Sequence, residues 1–269
     1  NDISAGTSIK LSNYIVPDLN YKYKNSFVIP STGTMTKNES YSYYPLGDRG
    51  KEGLPIPNWG VTISKVEKWW ILENFFKSVT LNHRLTGEIA NSYQDVNNDK
   101  TMTEDEKVNE QYSLSYSPII GIRTTSKGYN PIKMVANYDL GQTINNENKY
   151  TEKNYNNQIR ISLTYVKTGG IKIDKVFFFR DFYIKNKINF TLTFTHDTSR
   201  KLKTTNYELY DFNEETNNKS WSIKPNVGYT FTRWVTGNIY VSYGVSESRT
   251  TGRKEERDFG FNMNIKIQG

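Results

Sequence analysis

The residues best suited to chemistry lie in one stretch, DVNNDKTMTEDE, residues 95–106. Asp95, Asn97, Asp99, Thr101 and Glu106 fall at positions 1, 3, 5, 7 and 12 of an EF-hand-type calcium loop, where hard oxygen ligands alternate along the chain and a last carboxylate closes the cage. The sixth position, where the backbone turns sharply and glycine is usual, is Lys100. The flanking segments alternate like strands, so a helix–loop–helix is not expected. Two readings follow for these five residues: a weak Ca2+ site on an exposed loop, or a solvated acidic tip. Other chemistry finds little support. Cysteine is absent, which removes disulfides, thiol nucleophiles and thiolate metal sites. His83 and His196 are far apart, each inside an alternating run, and such a histidine is more often structural than catalytic. No nucleophile elbow, phosphate-binding glycine loop or His-Glu-x-x-His helix occurs, and no catalytic residue is expected.

The elements that must carry this loop are strands. In DFGFNMNIKI, residues 258–267, Phe259, Phe261, Met263, Ile265 and Ile267 alternate with Asp258, Gly260, Asn262, Asn264 and Lys266, the period of a strand with two unlike faces. The same alternation recurs from Val79 to Ile89, Tyr112 to Ile122, Met134 to Leu140, Ile159 to Tyr165, Ile188 to Phe194, Trp221 to Phe231 and Ile239 to Val245. Many of these runs reach ten or more residues. That is about the length of a tilted membrane strand, whereas a soluble β-sandwich favours strands of about five or six. The fold expected is therefore an all-β, antiparallel transmembrane β-barrel. Its polar face would include Arg84, Glu88, Arg160, Lys224 and Asn264. Residues 59–269 form the readable barrel segment, and residues 1–58 contribute weaker strands and loops of the same barrel, the best of them from Tyr21 to Ile29. Two segments depart from the pattern. VEKWWILENFFK, residues 66–77, gathers its aromatic and aliphatic residues along one side and predicts a short helix, packed on the sheet or lying at the bilayer edge. Residues 168–185 make a longer connection whose Phe177, Phe178, Phe179 and Phe182 are expected to be buried or at the bilayer boundary.

Composition agrees. Hydrophobic residues make up only 35% of the 269, too few to fill a large packed core but enough for a barrel whose apolar side faces lipid. The 20 tyrosines suit membrane–water boundaries. No run of about 18 apolar residues occurs, so no helical span is expected. The net charge of +7 is dispersed along the chain rather than gathered in a nucleic-acid patch. The chain opens at Asn1 without Met or a signal peptide, and we expect a mature form or a fragment of something longer. The connections near 92–108, 142–156, 200–218 and 247–256 are polar, whereas those at 126–131 and 232–237 are tight turns. Because outer-membrane barrels keep short turns on the periplasmic side, Gly269 is expected there.

The block GLPIPNWGVTISKVEKW, followed by FFKSVTLNHRLTGEIANSY, resembles the C-terminal region of the SprA (Sov) family, the outer-membrane translocon of the type IX secretion system. The resemblance rests on Pro57, Asn58 and Trp59, on Phe76, Lys77, Ser78, Val79, Thr80, Leu81 and His83, and on YSPIIGI from Tyr116 to Ile122. It covers about residues 53–269. After His83 the family continues Gly-Tyr-Arg-Ser, where this chain has Arg84, Leu85, Thr86 and Gly87. The resemblance implies the closing strands of a very large barrel in the bacterial outer membrane, with a wide lumen passing folded cargo proteins. It also implies partners: a smaller outer-membrane barrel, a periplasmic plug and an inner-membrane motor. The residues alone leave open a self-contained porin or adhesin barrel, and a soluble extracellular β-sheet binding domain.

Overall fold

Alternating side chains need a partner strand for every backbone edge, and the computed structural model supplies one through a single large antiparallel sheet. It describes residues 2–29, 34–47, 50–69, 71–95, 103–147, 149–168, 171–176, 179–184, 186–205, 211–232 and 235–265, without the side chains of 171–184. The strands are β1 (Asp2–Ser8), β2 (Ile15–Val28), β3 (Thr36–Ser42), β4 (Asn58–Ile63), β5 (Phe76–Gln94), β6 (Lys107–Ser126), β7 (Ile132–Glu147), β8 (Tyr150–Lys167), β9 (Ile171–Val176), β10 (Phe179–Ile184), β11 (Ile188–Thr204), β12 (Asn213–Thr230), β13 (Val235–Ser248) and β14 (Gly252–Ile265). Twelve of them form one sheet in the order β1-β2-β3-β5-β6-β7-β8-β11-β12-β13-β14, with β4 pairing to β2 and β5; β9 and β10 make a separate hairpin.

β3 and β4 share one position. β2 pairs with β3 through Tyr23–Val28 and with β4 through Ile15–Asn20, and β5 pairs with both in the same sense. Between them the chain makes an excursion, residues 43–57, off the sheet. Side chains mend the broken ladder: Ser42 Oγ accepts from the Lys22 N–H, and Asn58 Oδ1 accepts from the Gly87 N–H at 2.7 Å. The Asn58 amide also donates to Ser42 Oγ, closing the gap between the two strand ends.

Register places one apolar residue beside another across the sheet. A single row runs Leu81, Ile122, Ala136, Ile161, Phe194, Ile223 and Tyr243. The neighbouring row, on the opposite face, reads Asn82, Gly121, Asn137, Arg160, Thr195, Ser222 and Gly244. The apolar row meets Arg257 on β14, whose own apolar run is displaced along the strand to Phe259–Ile265. The apolar band therefore crosses the hydrogen-bonded rungs obliquely. The strands lean within it.

Two sequence expectations are corrected. The segment 66–77 is not one helix: it holds single turns at Val66–Lys68 and Leu72–Phe75, and Phe76 already belongs to β5 because it pairs with Ser126. The polar stretch 142–156 is mostly paired strand, β7 running to Glu147 and β8 starting at Tyr150. At 200–218 the polar extension of the hairpin is ladder, β11 continuing to Thr204 and β12 beginning at Asn213. Closure into a ring is not observed, since among the described residues β1 and β14 each pair on one side only.

Candidate functional site

The sheet presents two faces, and chemistry has to be sought on them. On the apolar face nothing in the described chain covers Phe190, Leu192, Ile223, Ile239 or Val241, each between about a third and a half exposed. Aromatic residues mark both margins of this band. At one margin Trp59 packs on His83, with ring centroids 4.9 Å apart, and His83 contacts Tyr116; further along, Trp221 meets Tyr243 edge to face. At the other margin lie Tyr165 with Phe190 and Tyr229 with Phe231; at the same end of the sheet, next to β5, Trp69, Ile71 and Phe75 of the helical turns are exposed. On β12 the margins, Trp221 and Tyr229, are separated by about 26 Å along the strand at about 3.3 Å per residue.

The polar face carries Arg84, Glu88, Arg160, Lys224 and Asn264, which register confirms as sharing one side. Arg84 donates to Asp18 at 3.1 Å across β4. A shallow polar hollow of about 460 Å3 is lined by Ser117, Asp139, Gln158, Asp197 and Ser220. Ser117 donates to Asp139, and the Gln158 amide to Asp197. Small residues here are matched to large ones: a Cβ at Gly121 would strike the Asn82 amide, and one at Gly260 the Tyr240 ring. Sequence reading missed these pairings, although glycines on polar positions of alternating strands were visible as a hint.

Among the described residues, the conventional core lies beneath the excursion. Tyr43, Ile89, Tyr112 and Ile144 are buried together, with Tyr41 against them. Tyr43 donates to the Lys51 carbonyl, and Lys51 pairs with Glu110 at 3.7 Å. Burial raises the Tyr43 phenol above its usual pKa; that of Tyr44 is raised by burial and by its contact, 3.0 Å, with the Tyr116 hydroxyl.

The calcium-type loop is only partly in view. Asn97, Asp99 and Thr101 lie outside the described residues. Asp95 and Glu106 are both buried, and the Asp95 N–H donates to the Met35 carbonyl. Glu106 Oε2 accepts from the Thr103 N–H at 3.1 Å, closing a capping box around the turn Glu104–Glu106. Among the described residues no group of three or more His, Asp or Glu side chains is arranged to hold a metal. Glu104, more exposed, is held below the usual carboxylate range chiefly by its hydrogen bond to Lys107. His83 has a structural setting: its Nδ1 donates to the Ile119 carbonyl at 2.6 Å. His196 sits in the apolar row between Ile159 and Trp221. Phe177 and Phe178 lie outside the described residues, as do the side chains of Phe179 and Phe182.

These features define an all-β protein of one antiparallel sheet, apolar on one face and polar on the other. Compared with known proteins, the chain matches no protein-family model and no curated sequence.

Proposed function

We propose that this sheet is a section of the wall of a bacterial outer-membrane protein-translocation pore, of the SprA-like type IX kind that the motifs at 57–59, 76–83 and 116–122 resemble. The observation that carries the membrane reading is the apolar band: it is continuous from β4 to β14, uncovered over most of its length beyond β5, edged by aromatic residues and oblique to the rungs. On strands tilted about 35–45°, about 26 Å of strand spans about 19–22 Å of depth, most of the apolar height of about 25 Å that a lipid-facing wall has. In this reading the hydroxyl- and amide-rich face lines the lumen, the C-terminal end is periplasmic, and the wall transports rather than catalyses. Its partners are lipid, cargo proteins and the other components of the secretion system.

The test is the apparent mass of the native protein in purified outer membranes, detected with an antibody against residues 200–218. A carbonate-resistant band far above the 31.2 kDa of this chain supports a translocon. A heat-shifting band near that mass makes it a self-contained porin or adhesin barrel, and a carbonate-soluble one ends the membrane reading.

A further inference from the structure

At the short-turn end of the sheet the chain leaves β4 through Lys65, whose left-handed backbone (φ 59°) swings it off the ladder, and makes the turns Val66–Lys68 and Leu72–Phe75 before β5 begins. These turns are fastened to the sheet. Val66 is buried; the Glu67 carboxylate accepts from the Val79 N–H at 2.8 Å, beyond the last β4 partner; and the Lys127 N–H donates to the Phe75 carbonyl at 2.9 Å. The apolar side chains between these ties nonetheless face outward, with Trp69, Ile71 and Phe75 60%, 54% and 62% exposed. Three large apolar groups held in water cost solvation free energy that a bare connection from β4 to β5 has no need to bear.

Lysines surround them. Lys65 and Lys68 are exposed in the turns, Lys77 follows two residues after Phe75, and Lys127 is tied to Phe75 through its backbone. None of the four makes an ion pair among the described residues, and of the two carboxylates in this segment Glu67 is engaged by Val79 while Glu73 is exposed. The opposite end of the same face is arranged differently. There Lys37 meets Glu39 at 3.2 Å, and Lys107 sits between Glu104 at 2.8 Å and Glu110 at 3.1 Å. Positive charge is neutralised within the chain at that end and left over at this one.

We infer that residues 65–77, with Lys127, are an anchor for anionic phospholipid. Trp69, Ile71 and Phe75 enter the boundary of the acyl layer, and the four lysines hold the phosphates of the headgroups above it. Aromatic and aliphatic side chains beside lysines are the pairing that a membrane boundary favours, and each lysine close to an anionic surface adds to the attraction. The placement agrees, because the turns lie at the same end of the strands as the aromatic margin at Tyr165 and Tyr229. Charge decides the class of lipid: a zwitterionic headgroup offers no net charge to the unpaired lysines.

This anchor rests on the membrane-wall reading, and one experiment separates the two. The natural protein, purified from its own membrane in detergent, is reconstituted into phosphatidylcholine bilayers in which a minor share of the lipid is either brominated phosphatidylglycerol or brominated phosphatidylcholine. Tryptophan fluorescence is read in this protein and in Trp69→Phe, so that the difference isolates Trp69. Brominated phosphatidylglycerol is expected to quench Trp69 several-fold more than brominated phosphatidylcholine. Changing Lys65, Lys68, Lys77 and Lys127 together to Gln should abolish that preference, and changing them together to Arg should keep it. Equal quenching of Trp69 by the two lipids, a preference that survives the Gln changes, or one that is lost in the Arg changes overturns the anchor. The wall stands on the fluorescence that remains in Trp69→Phe, which includes Trp59 and Trp221 at the opposite margin. Quenching there without a preference at Trp69 removes the anchor alone, whereas no quenching of any tryptophan removes wall and anchor together.

Discussion

The two halves of the sheet are stabilised differently. From β3 to β7 the strand ends nearest the acidic loop are roofed by the 43–57 excursion, under which Ile89, Tyr112 and Ile144 are almost wholly buried. From β11 to β14 most apolar side chains stay uncovered, with Ile188 and Val245 buried, and Phe261, Met263 and Ile265 stay at least half exposed. The first half carries a core within its own chain; the second has backbone pairing and whatever medium surrounds it. Apolar side chains that bury nothing internally contribute to stability only when lipid or a neighbouring strand takes them from water.

The largest effect that breaks this contrast is Tyr112→Ala. It removes the ring packed against Gly50 and Tyr43 and is expected to cost about 3–5 kcal/mol in denaturant unfolding in detergent. Phe261→Ala, measured in the same way, should stay within about 0.5 kcal/mol. In lipid the second half becomes the sensitive one: Phe261→Arg is expected to cost about 2–4 kcal/mol of insertion, with Asn264→Arg on the opposite face tolerated. Equal effects of those two changes would remove the face assignment.

Within β13–β14, Gly260→Ala forces the Tyr240 ring aside and should cost about 1–3 kcal/mol. Tyr240→Ala added to it should restore most of the loss. The smallest effect lies in the covered half. Because the Glu104 pKa is depressed in the folded chain, its contact with Lys107 stabilises above the unfolded carboxylate value, about 4.3, and is lost as pH falls through the folded value. Amide exchange at residues 103–107 should accelerate over that acid range, and Lys107→Gln should flatten the response.

How far the fold was legible follows from where alternation has a physical cause. Val79–Leu85 and Phe259–Ile265 alternate because their two faces meet different surroundings, and those strands could be read directly. At Gln142–Glu147 and Tyr150–Asn156 both faces are largely polar, so the period disappears while the ladder continues, and a loop was expected where β7 and β8 pair. The excursion left no periodic signature, and nothing in its composition marks Ser42 and Asn58 as the side chains that mend the break. Residues 66–77 looked helical from side-chain grouping, but pairing of Phe76 with Ser126 prevails over a weak local preference. In the acidic loop two patterns overlap: Thr103 and Glu106 also satisfy the capping-box spacing, and that is the role Glu106 visibly plays. Spacing alone does not rank a cage of ligands above a helical cap.

The excursion has an evolutionary consequence. Its two stems, Ser42 and Asn58, sit side by side and are tied by a hydrogen bond, so the polypeptide leaves and re-enters at nearly the same point. Lengthening the excursion while Tyr43 keeps its place in the core shifts no rung of the surrounding ladder. Such a place acts as a port through which a lineage can acquire new surface appendages, and at which a foreign epitope can be displayed, while the scaffold keeps its numbering.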